Sequence, residues 1–344
     1  MALFKKFSNL FGNTSKDNNT QQPNRSHNDI KVKVEAVNNV YDDRTDRGIE
    51  SKKLNDNCIR SRNGLSVGEI LLLEYCKKGK YPNPQGGYQN FWWFDYGIKD
   101  VGSVLKSLEN RGFIRYALPI ERIETLKLSQ IKDILKELEQ PTTGKKAELI
   151  DRIKSSDNLS VLDKYFTENK YTLTELGENK LKENEYVPYI HSHKNIEMTV
   201  WDLNKQIHQT KLGYRDIIWG NFNKKLTEYN SPNNIGLRRN VVLSMGDFAC
   251  EENKYQYALQ FYAEVCYYDV VYYSGFSGYD DVSDLLIPGV LTNMKKCKKE
   301  AQMSNDDLFK LMINHFSKLM TYERKVDISN QDLSGLIVSK IDTM

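Results

Sequence analysis

The spacing of hydrophobic residues changes sharply at Leu65, where an irregular polar stretch gives way to periodic segments. Residues 13–63 are rich in Asn, Asp, Lys, Arg and Ser and show little periodicity, so we predict a disordered tail over 1–63. The tail starts with an amphipathic segment, residues 1–12, in which leucines and phenylalanines share one helical face. We interpret this segment either as an interfacial helix that touches a membrane or a partner groove, or as a frayed terminus.

Two helices and a strand are predicted directly after the tail. In LSVGEILLLEYCKKG, Ser66 and Glu69 have the spacing of a capping box, which marks the start of a helix. Apolar spacing farther along predicts a second helix that begins at the candidate cap Asp100 and closes at Gly112. Residues 113–118 then have the composition of a strand.

Apolar residues recur at intervals near 3.6 in the C-terminal part, which predicts an all-helical domain over 195–344. Short polar or Gly/Pro-containing breaks separate six predicted helical segments: 196–209, 211–229, 236–250, 254–273, 281–302 and 304–321.

One pair of these segments, GDFACEENKYQYALQFYAEV, resembles a single tetratricopeptide-type hairpin. The resemblance places small and aromatic packing residues at Gly246, Tyr255, Ala258 and Tyr262. It implies a helical hairpin in which the Tyr-rich run 255–273 is part of the core, and a peptide-binding groove is the alternative.

Residues 125–155 predict two short helices joined by a tight turn. Ser129 is the candidate cap of the first helix, and Pro141 and Gly144 punctuate the turn. The residues predicted to face each other are Ile131, Ile134, Leu135 and Leu138 in the first helix and Ala147, Leu149, Ile150 and Ile153 in the second. Two helices this short share a small apolar seam, so we expect the pair to depend on neighbouring segments for stability.

The turn and second helix, PTTGKKAELIDRI, are similar to the SAP family in the order of Pro, Gly, Lys, Leu and Arg after an amphipathic helix. We therefore predict a SAP-like module over 123–156. The resemblance implies a helix–turn–helix that binds DNA, often AT-rich duplex. Glu139 and Gln140 stand where the family usually has Gly and Leu, and Glu139 brings a negative charge near the implied contact surface.

The residues themselves also favour phosphate binding at the start of the second helix. Gly144, Lys145 and Lys146 lie where free N–H groups and the positive end of the helix dipole attract an anion, and the two ammonium groups add counterion release. Seven basic and five acidic residues between 127 and 154 give the module a charge of +2, so we expect weak binding by the module alone. The candidate DNA-binding residues here are Lys132, Gly144, Lys145, Lys146 and Arg152.

The preceding region, 64–122, resembles a winged helix-turn-helix, chiefly in LKSLENRGFIRYA at 105–117. In that family the helix before the Gly is the recognition helix. This implies the following candidate DNA contacts: Lys99, Ser103, Lys106, Arg111 and, at the edge of the wing, Arg115. The aromatic insert at 88–96 is longer than a minimal module needs. Winged helices also serve as protein-interaction modules, and both functions stay open for this region.

Residues 157–194 are predicted to connect this region with the helical domain. The sequence YTLTELGENKL resembles the strand-to-helix piece that ends many winged modules, with Thr174 as the cap of a helix over 175–183. This piece either completes the first winged module, with the SAP-like segment inserted, or belongs to a second one.

Composition narrows the class of protein. The net charge is +3, so nucleic-acid binding has to come from local patches rather than from a polycationic chain. The sequence has no run of about 18 apolar residues, and we therefore predict no membrane span. The five cysteines are odd in number and form no CxxC pair, which argues against structural zinc and a disulfide framework and favours a reducing, cytoplasmic compartment.

The sequence has no P-loop, no GxSxG and no HExxH, so we predict a non-enzymatic protein without catalytic residues or a cofactor. His191 and His193 form an HxH pair, but a metal site needs a third ligand, and two surface histidines on a linker are the favoured interpretation. Asp280, Asp281 and Asp284 are interpreted as helix caps rather than as ligands of a divalent ion. We therefore predict no metal site.

Together these patterns predict a mainly α protein: a winged-helix-like α+β unit with a SAP helix–turn–helix, followed by an all-α helical-hairpin domain. The first functional hypothesis is a non-enzymatic DNA-binding protein of bacterial or phage type. In it the SAP-like and winged parts contact duplex, and the C-terminal helices dimerise or recruit a partner. The second hypothesis is a protein-interaction adaptor in which the helical half carries the function. A third is a DNA-processing enzyme that uses acidic residues in the C-terminal half.

Overall fold

The computed structural model describes residues 64–83, 86–272, 281–319 and 322–344. Its residues form two compact units, 64–192 with 199–210 and 193–198 with 211–344. The described part of the chain is mainly helical with two short strands, which confirms the predicted fold class at this level. The predicted tail over 1–63, with its amphipathic start, lies outside the described residues, and so does Asp280.

Three helices open the first unit: α1 over Val67–Lys77, α2 over Phe91–Phe94 and α3 over Val101–Asn110. The capping box predicted for α1 is confirmed. The Ser66 hydroxyl accepts a hydrogen bond from the Glu69 N–H at 3.3 Å, and the Glu69 carboxylate accepts one from the Ser66 N–H at 2.7 Å. Asp100 caps α3 as predicted. Gly112 follows the end of α3 with a φ of +77°, a conformation that glycine adopts without strain.

The SAP-like segment consists of helices α4, Leu128–Glu137, and α5, Lys146–Lys154, with a 3₁₀ helix on either side at Pro119–Thr125 and Leu159–Tyr165. Its core contains nine buried side chains: Ile123, Leu126, Ile131, Ile134, Leu135, Leu149, Ile150, Ile153 and Leu162. Ile123, Leu126 and Leu162 come from the flanking segments. These segments therefore supply the support that two such short helices require.

Two assignments within this segment are wrong. Helix α4 has Lys127 rather than Ser129 as its N-cap, because the Ile131 N–H bonds to the Lys127 carbonyl at 3.1 Å and places Ser129 inside the first turn. Ala147 is exposed and does not face α4, since the buried side of α5 begins only at Leu149.

Strand β1, Ile114–Tyr116, pairs antiparallel with β2, Tyr171–Leu173, and the SAP-like segment lies between the two strands in sequence. Three helices follow β2 in the first unit: α6 over Glu175–Glu183, α7 over Tyr186–Ser192 and α8 over Val200–Gln209. Thr174 caps α6 as predicted. The strand pairing joins residues 171–173 to residues 114–116, and whether this piece completes a winged module stays a prediction.

The described part of the second unit contains six α-helices: α9 Tyr214–Glu228, α10 Ile235–Glu251, α11 Tyr255–Val271, α12 Pro288–Glu300, α13 Asn305–Phe316 and α14 Asn330–Thr343. Short 3₁₀ turns lie at Lys194–Ile196, Pro232–Asn234 and Val282–Leu285. The predicted segment 281–302 is divided, because Pro288 cannot continue a preceding helix and instead starts α12. Helix α14 was not among the segments predicted from spacing.

Helices α10 and α11 are consecutive and pack against each other. Gly246 faces the ring of Tyr262 so closely that a Cβ at position 246 would lie 2.8 Å from the ring. Ala258 is buried, and Tyr255 is half-buried. The prediction that the tyrosines of this run are mainly core is confirmed for the described residues, because Tyr262, Tyr267, Tyr268 and Tyr272 are all buried.

The histidine pair is not a simple surface feature. In the first unit, the Nδ1 atom of His191 lies 2.7 Å from the Tyr96 hydroxyl, and its ring packs against Phe91. In the second unit, His193 lies 3.1 Å from Glu251. The residues that the structure describes contain no group of three His, Cys, Asp or Glu side chains that could hold a metal ion.

Asp281 caps the 3₁₀ turn at Val282–Leu285, which agrees with its interpretation as a cap.

None of the helices in the described ranges is both long and apolar enough to cross a membrane.

Candidate nucleic-acid interface

The end of α4 is a Schellman motif with an unusual residue in it. The Glu139 N–H bonds to the Lys136 carbonyl at 3.1 Å, and the Gln140 N–H bonds to the Leu135 carbonyl at 2.8 Å. This pattern puts Glu139 in the left-handed region with a φ of +52°. Glycine is the usual residue there, so the departure of this sequence from the SAP family coincides with a strained backbone position.

Arg152 holds the turn between the two helices. Its guanidinium donates to the Pro141 carbonyl and, at 3.4 Å, to the Thr143 carbonyl. Gly144 completes the turn with a φ of +131°, where a side chain is strained whatever space is present. The two predicted contact residues Gly144 and Arg152 therefore shape the loop that leads into α5, and this role is independent of any DNA.

The start of α5 offers backbone N–H groups to an external acceptor. Its N-cap is Lys145, whose ammonium cannot accept a hydrogen bond, so it does not cap the helix as Ser, Thr or Asp would. The Glu148 carboxylate accepts from the Lys145 N–H at 3.0 Å. The N–H groups of Lys146, Ala147 and Glu148 have no side-chain acceptor among the described residues, and all three residues are exposed.

The lysines at this helix start keep their charge available. Lys145 is exposed and makes no ion pair with any described residue. The Lys146 ammonium donates to the Glu124 carbonyl at 2.8 Å, and this neutral partner leaves its charge and its other two donors for a ligand. Lys132 is half-buried on α4 and also has no ion-pair partner within residues 64–83 and 86–192.

Lys127 is a further basic residue at the interface that the sequence analysis missed. It is the N-cap of α4, is exposed, and has its N–H bonded to the Gln130 side chain at 2.9 Å. The assignment of the cap to Ser129 hid this arrangement. Both SAP helices thus begin with a lysine, whereas four other helices of the first unit begin with side chains that do accept, namely Ser66, Asp100, Thr174 and Thr199.

Three acidic residues of the SAP segment lie close to lysines other than those at the helix starts. Asp133 pairs with Lys136 at 2.9 Å, and Glu137 pairs with Lys164. Glu124 lies 3.9 Å from Lys154, which is the limit of an ion pair. These pairs leave four lysines of the segment without a described carboxylate partner: Lys127, Lys132, Lys145 and Lys146.

The candidate contacts on and around α3 have a different environment. The Ser103 hydroxyl donates to Asp100 at 2.6 Å, and its N–H donates to the same carboxylate at 3.0 Å. These hydrogen bonds hold the pKa of Asp100 below its usual value. Lys106 forms an ion pair with Glu109 at 2.8 Å, and the hydrogen bond from Lys106 lowers the pKa of that carboxyl.

The two arginines of this group are bound within the protein as well. Arg111 donates to the buried carboxylate of Glu69 at 2.5 Å, the same carboxylate that completes the capping box of α1. Arg115 makes two hydrogen bonds to Glu121, at 2.6 and 2.8 Å, and the bonds hold the pKa of Glu121 below its ordinary value. Lys99 is exposed and has no ion-pair partner among the described residues.

Comparison with protein-family models gives one match, the SAP domain, over residues 122–158. The chain therefore contains a SAP domain, at nearly the bounds predicted from its turn and second helix. Comparison with curated proteins gives no match, and comparison with solved structures gives none. The likenesses of 64–122 to a winged helix and of 246–265 to a tetratricopeptide hairpin stay resemblances.

Proposed function

We propose that this protein binds duplex DNA without catalysing a reaction on it, and that its SAP domain makes the main contact through the lysine-capped starts of α4 and α5. The observation that carries the proposal is the presence of a SAP domain in which both helix starts carry unpaired lysines. DNA binding is the general property of SAP domains.

The contact is to phosphates. A phosphate oxygen at the start of α5 would accept from the open N–H groups of Lys146, Ala147 and Glu148 and would be favoured by the positive end of the helix dipole. The ammonium groups of Lys127 and Lys145 would release condensed counterions from the duplex. Such contacts position a protein on DNA without selecting a base sequence.

The number of unpaired cations sets the expected salt dependence. If Lys127, Lys132, Lys145 and Lys146 each neutralise one phosphate, the logarithm of the binding constant falls with the logarithm of salt concentration with a slope of about −3 to −4. Glu148, whose carboxylate lies at the start of α5, opposes binding at that position. We therefore expect an interaction that is clear at low salt and weak at physiological salt.

The test is a titration of the full-length chain with a fluorescent AT-rich duplex of about 20 base pairs over a range of salt concentrations. The double variant Lys145→Glu with Lys146→Glu is expected to lose at least about tenfold in affinity at low salt and to show a flatter slope. The matched control is Lys182→Glu with Lys205→Glu, which changes the charge equally at exposed lysines of the same compact unit. Equal binding by both double variants and the unmodified protein would overturn the assignment of the contact surface.

We also infer that the winged-helix-like region makes a smaller contribution than its five candidate residues imply, because four of them already have internal partners. Lys99 is the cation of that group that is open to a phosphate.

The alternative of a DNA-processing enzyme predicts magnesium-dependent cleavage of plasmid. An absence of cleavage over a range of divalent metals would exclude this alternative.

We further propose that the second unit makes contacts with protein, either by self-association or by recruitment of a partner. The support is that this unit exposes large apolar side chains, with Leu237 and Tyr257 each 45% exposed. Light scattering of the full chain with and without duplex tests self-association. If the chain binds no DNA at low salt, the adaptor hypothesis, in which these helices carry the function, replaces the DNA-binding one.

A further inference from the structure

The aromatic insert of the first unit forms one wall of a cleft. The cavity has a volume of about 400 Å³ and lies beside α2 and the start of α3. Its lining combines aromatic rings, side-chain amides and one ammonium group: Tyr88, Trp92, Trp93, Gln89, Asn90 and Lys99. The winged-helix resemblance does not account for this insert, because a minimal module of that kind does not need it.

The short helix α2 sets the two tryptophans in different environments. It ends at Phe94, and Gly97, which follows with a φ of +67°, donates its N–H to the Trp93 carbonyl at 2.9 Å. Trp92 is 1% exposed and is part of the core, whereas Trp93 is half-buried at the cleft. One tryptophan therefore anchors the insert, and the next one lines the cavity while its ring packs against Phe94, with the ring centroids 4.7 Å apart.

A chain of hydrogen bonds orients the amide of Gln89. The indole N–H of Trp92 donates to the Tyr81 hydroxyl at 2.6 Å, and that hydroxyl donates to the Gln89 side-chain oxygen. Since the amide oxygen is engaged, the amide nitrogen is the group left for a ligand, and it has no acceptor among the described residues. An oriented N–H donor of this kind suits a carbonyl oxygen, such as those on the edges of thymine, cytosine or guanine.

The charged groups at the cleft are one carboxylate and one ammonium group. Asp100 lines the cavity, but its two carboxylate oxygens accept from Ser103 and cap α3. Lys99 lines the cavity without an ion-pair partner among the described residues. An occupant with a flat ring, a carbonyl and a nearby negative charge matches this set, and a nucleotide has all three.

We propose that this cleft binds an unpaired nucleobase of the DNA, stacked on Trp93 and Tyr88, with Gln89 at a base carbonyl and Lys99 at the phosphate. The cavity has the size of a small-ligand site, whereas a base inside a duplex stack cannot enter a concave cleft. The proposal rests on the proposed DNA binding, because the cleft and the SAP domain belong to the same compact unit. It adds that DNA with a single-stranded extension or an unpaired end is preferred over blunt duplex.

The experiment compares the full chain on two probes: a blunt duplex of about 20 base pairs, and the same duplex carrying a short unpaired oligothymidine extension. Base stacking on aromatic side chains is expected to favour the extended probe by about 5-fold to about 100-fold. Trp93→Ala is expected to reduce this preference to about one while blunt-duplex affinity stays unchanged, and Trp93→Phe is expected to retain most of it. The matched control is Tyr257→Ala, which removes an exposed aromatic ring that does not line the cleft.

The outcomes separate this proposal from the one on which it rests. Binding of blunt and extended probes with equal affinity overturns the cleft proposal and leaves duplex binding intact. Binding of neither probe at low salt overturns both. Lys99→Ala, compared with Lys182→Ala as the charge control, is expected to weaken binding of the extended probe more than binding of the blunt duplex. If Trp93→Ala, still folded by its thermal unfolding profile, weakens both probes equally, the cleft is not a base site.

Discussion

The helix α3 and the SAP helices α4 and α5 look alike as sequences and differ as surfaces. Each region offers a set of polar or basic candidates next to a turn. Around α3, Lys106 and Arg115 are paired with carboxylates, and Arg111 is tied to a buried one. At the starts of α4 and α5, Lys127 and Lys145 have no described carboxylate partner. The number of basic residues in a sequence therefore does not give the positive charge that is available to a ligand.

The difference arises from where the acidic residues fall. Glu109 stands three residues after Lys106 on one helical face, and such a spacing brings the two side chains together. In α5 the acidic residue near the start, Glu148, is used by the backbone instead, because its carboxylate accepts from the Lys145 N–H. The lysine side chain is left outside that bond.

The largest effect that would sharpen this comparison is expected for Arg111→Ala. Removal of the guanidinium deletes its ion pair with Glu69, whose side chain is 8% exposed, and we expect a loss of about 1–3 kcal/mol in the free energy of unfolding. Urea denaturation measures the loss. Lys106→Ala, which breaks the exposed pair on the same helix, is the control and is expected to leave stability unchanged. A several-fold loss of duplex affinity in folded Arg111→Ala would show instead that this arginine contacts DNA.

A smaller effect, of opposite sign, is expected for Glu139→Gly in the SAP turn. Relief of the left-handed conformation at φ +52° outweighs the extra freedom that glycine gives to the unfolded chain, so we expect a gain of about 0.5–1 kcal/mol. Loss of the carboxylate is also expected to raise duplex affinity slightly. The thermal unfolding midpoint tests the first effect, with Gln140→Gly as the neighbouring control. Destabilisation by Glu139→Gly would mean that the glutamate side chain contributes a contact at this turn.

Local features of the fold were predictable from the sequence, and the pairings of distant residues were not. The caps at Ser66, Asp100 and Thr174 depend on residues within one turn, so their patterns were sufficient. The pairing of 114–116 with 171–173 spans the whole SAP segment, and no local pattern decides between that pairing and a separate second module.

The same limit applies to the candidate site. The turn at Gly144 and the helix start at Lys145 were found because the SAP pattern is local. The bond between Arg111 and Glu69 joins residues 42 positions apart, which no spacing rule indicates. Lys127 was missed because Ser129, a stronger capping residue, stands two positions later in the sequence.

The central claim is that the lysine-capped helix starts, and not the α3 group, face the phosphates. It is tested most directly by the salt dependence of duplex binding for two charge-matched variants of the full chain. Lys127→Ala with Lys145→Ala is predicted to make the slope of log binding constant against log salt less steep by about 2, since each lysine accounts for about one phosphate contact. Lys106→Ala with Arg115→Ala is predicted to leave the slope unchanged. Equal changes in both variants, or a change only in the second, would contradict the account.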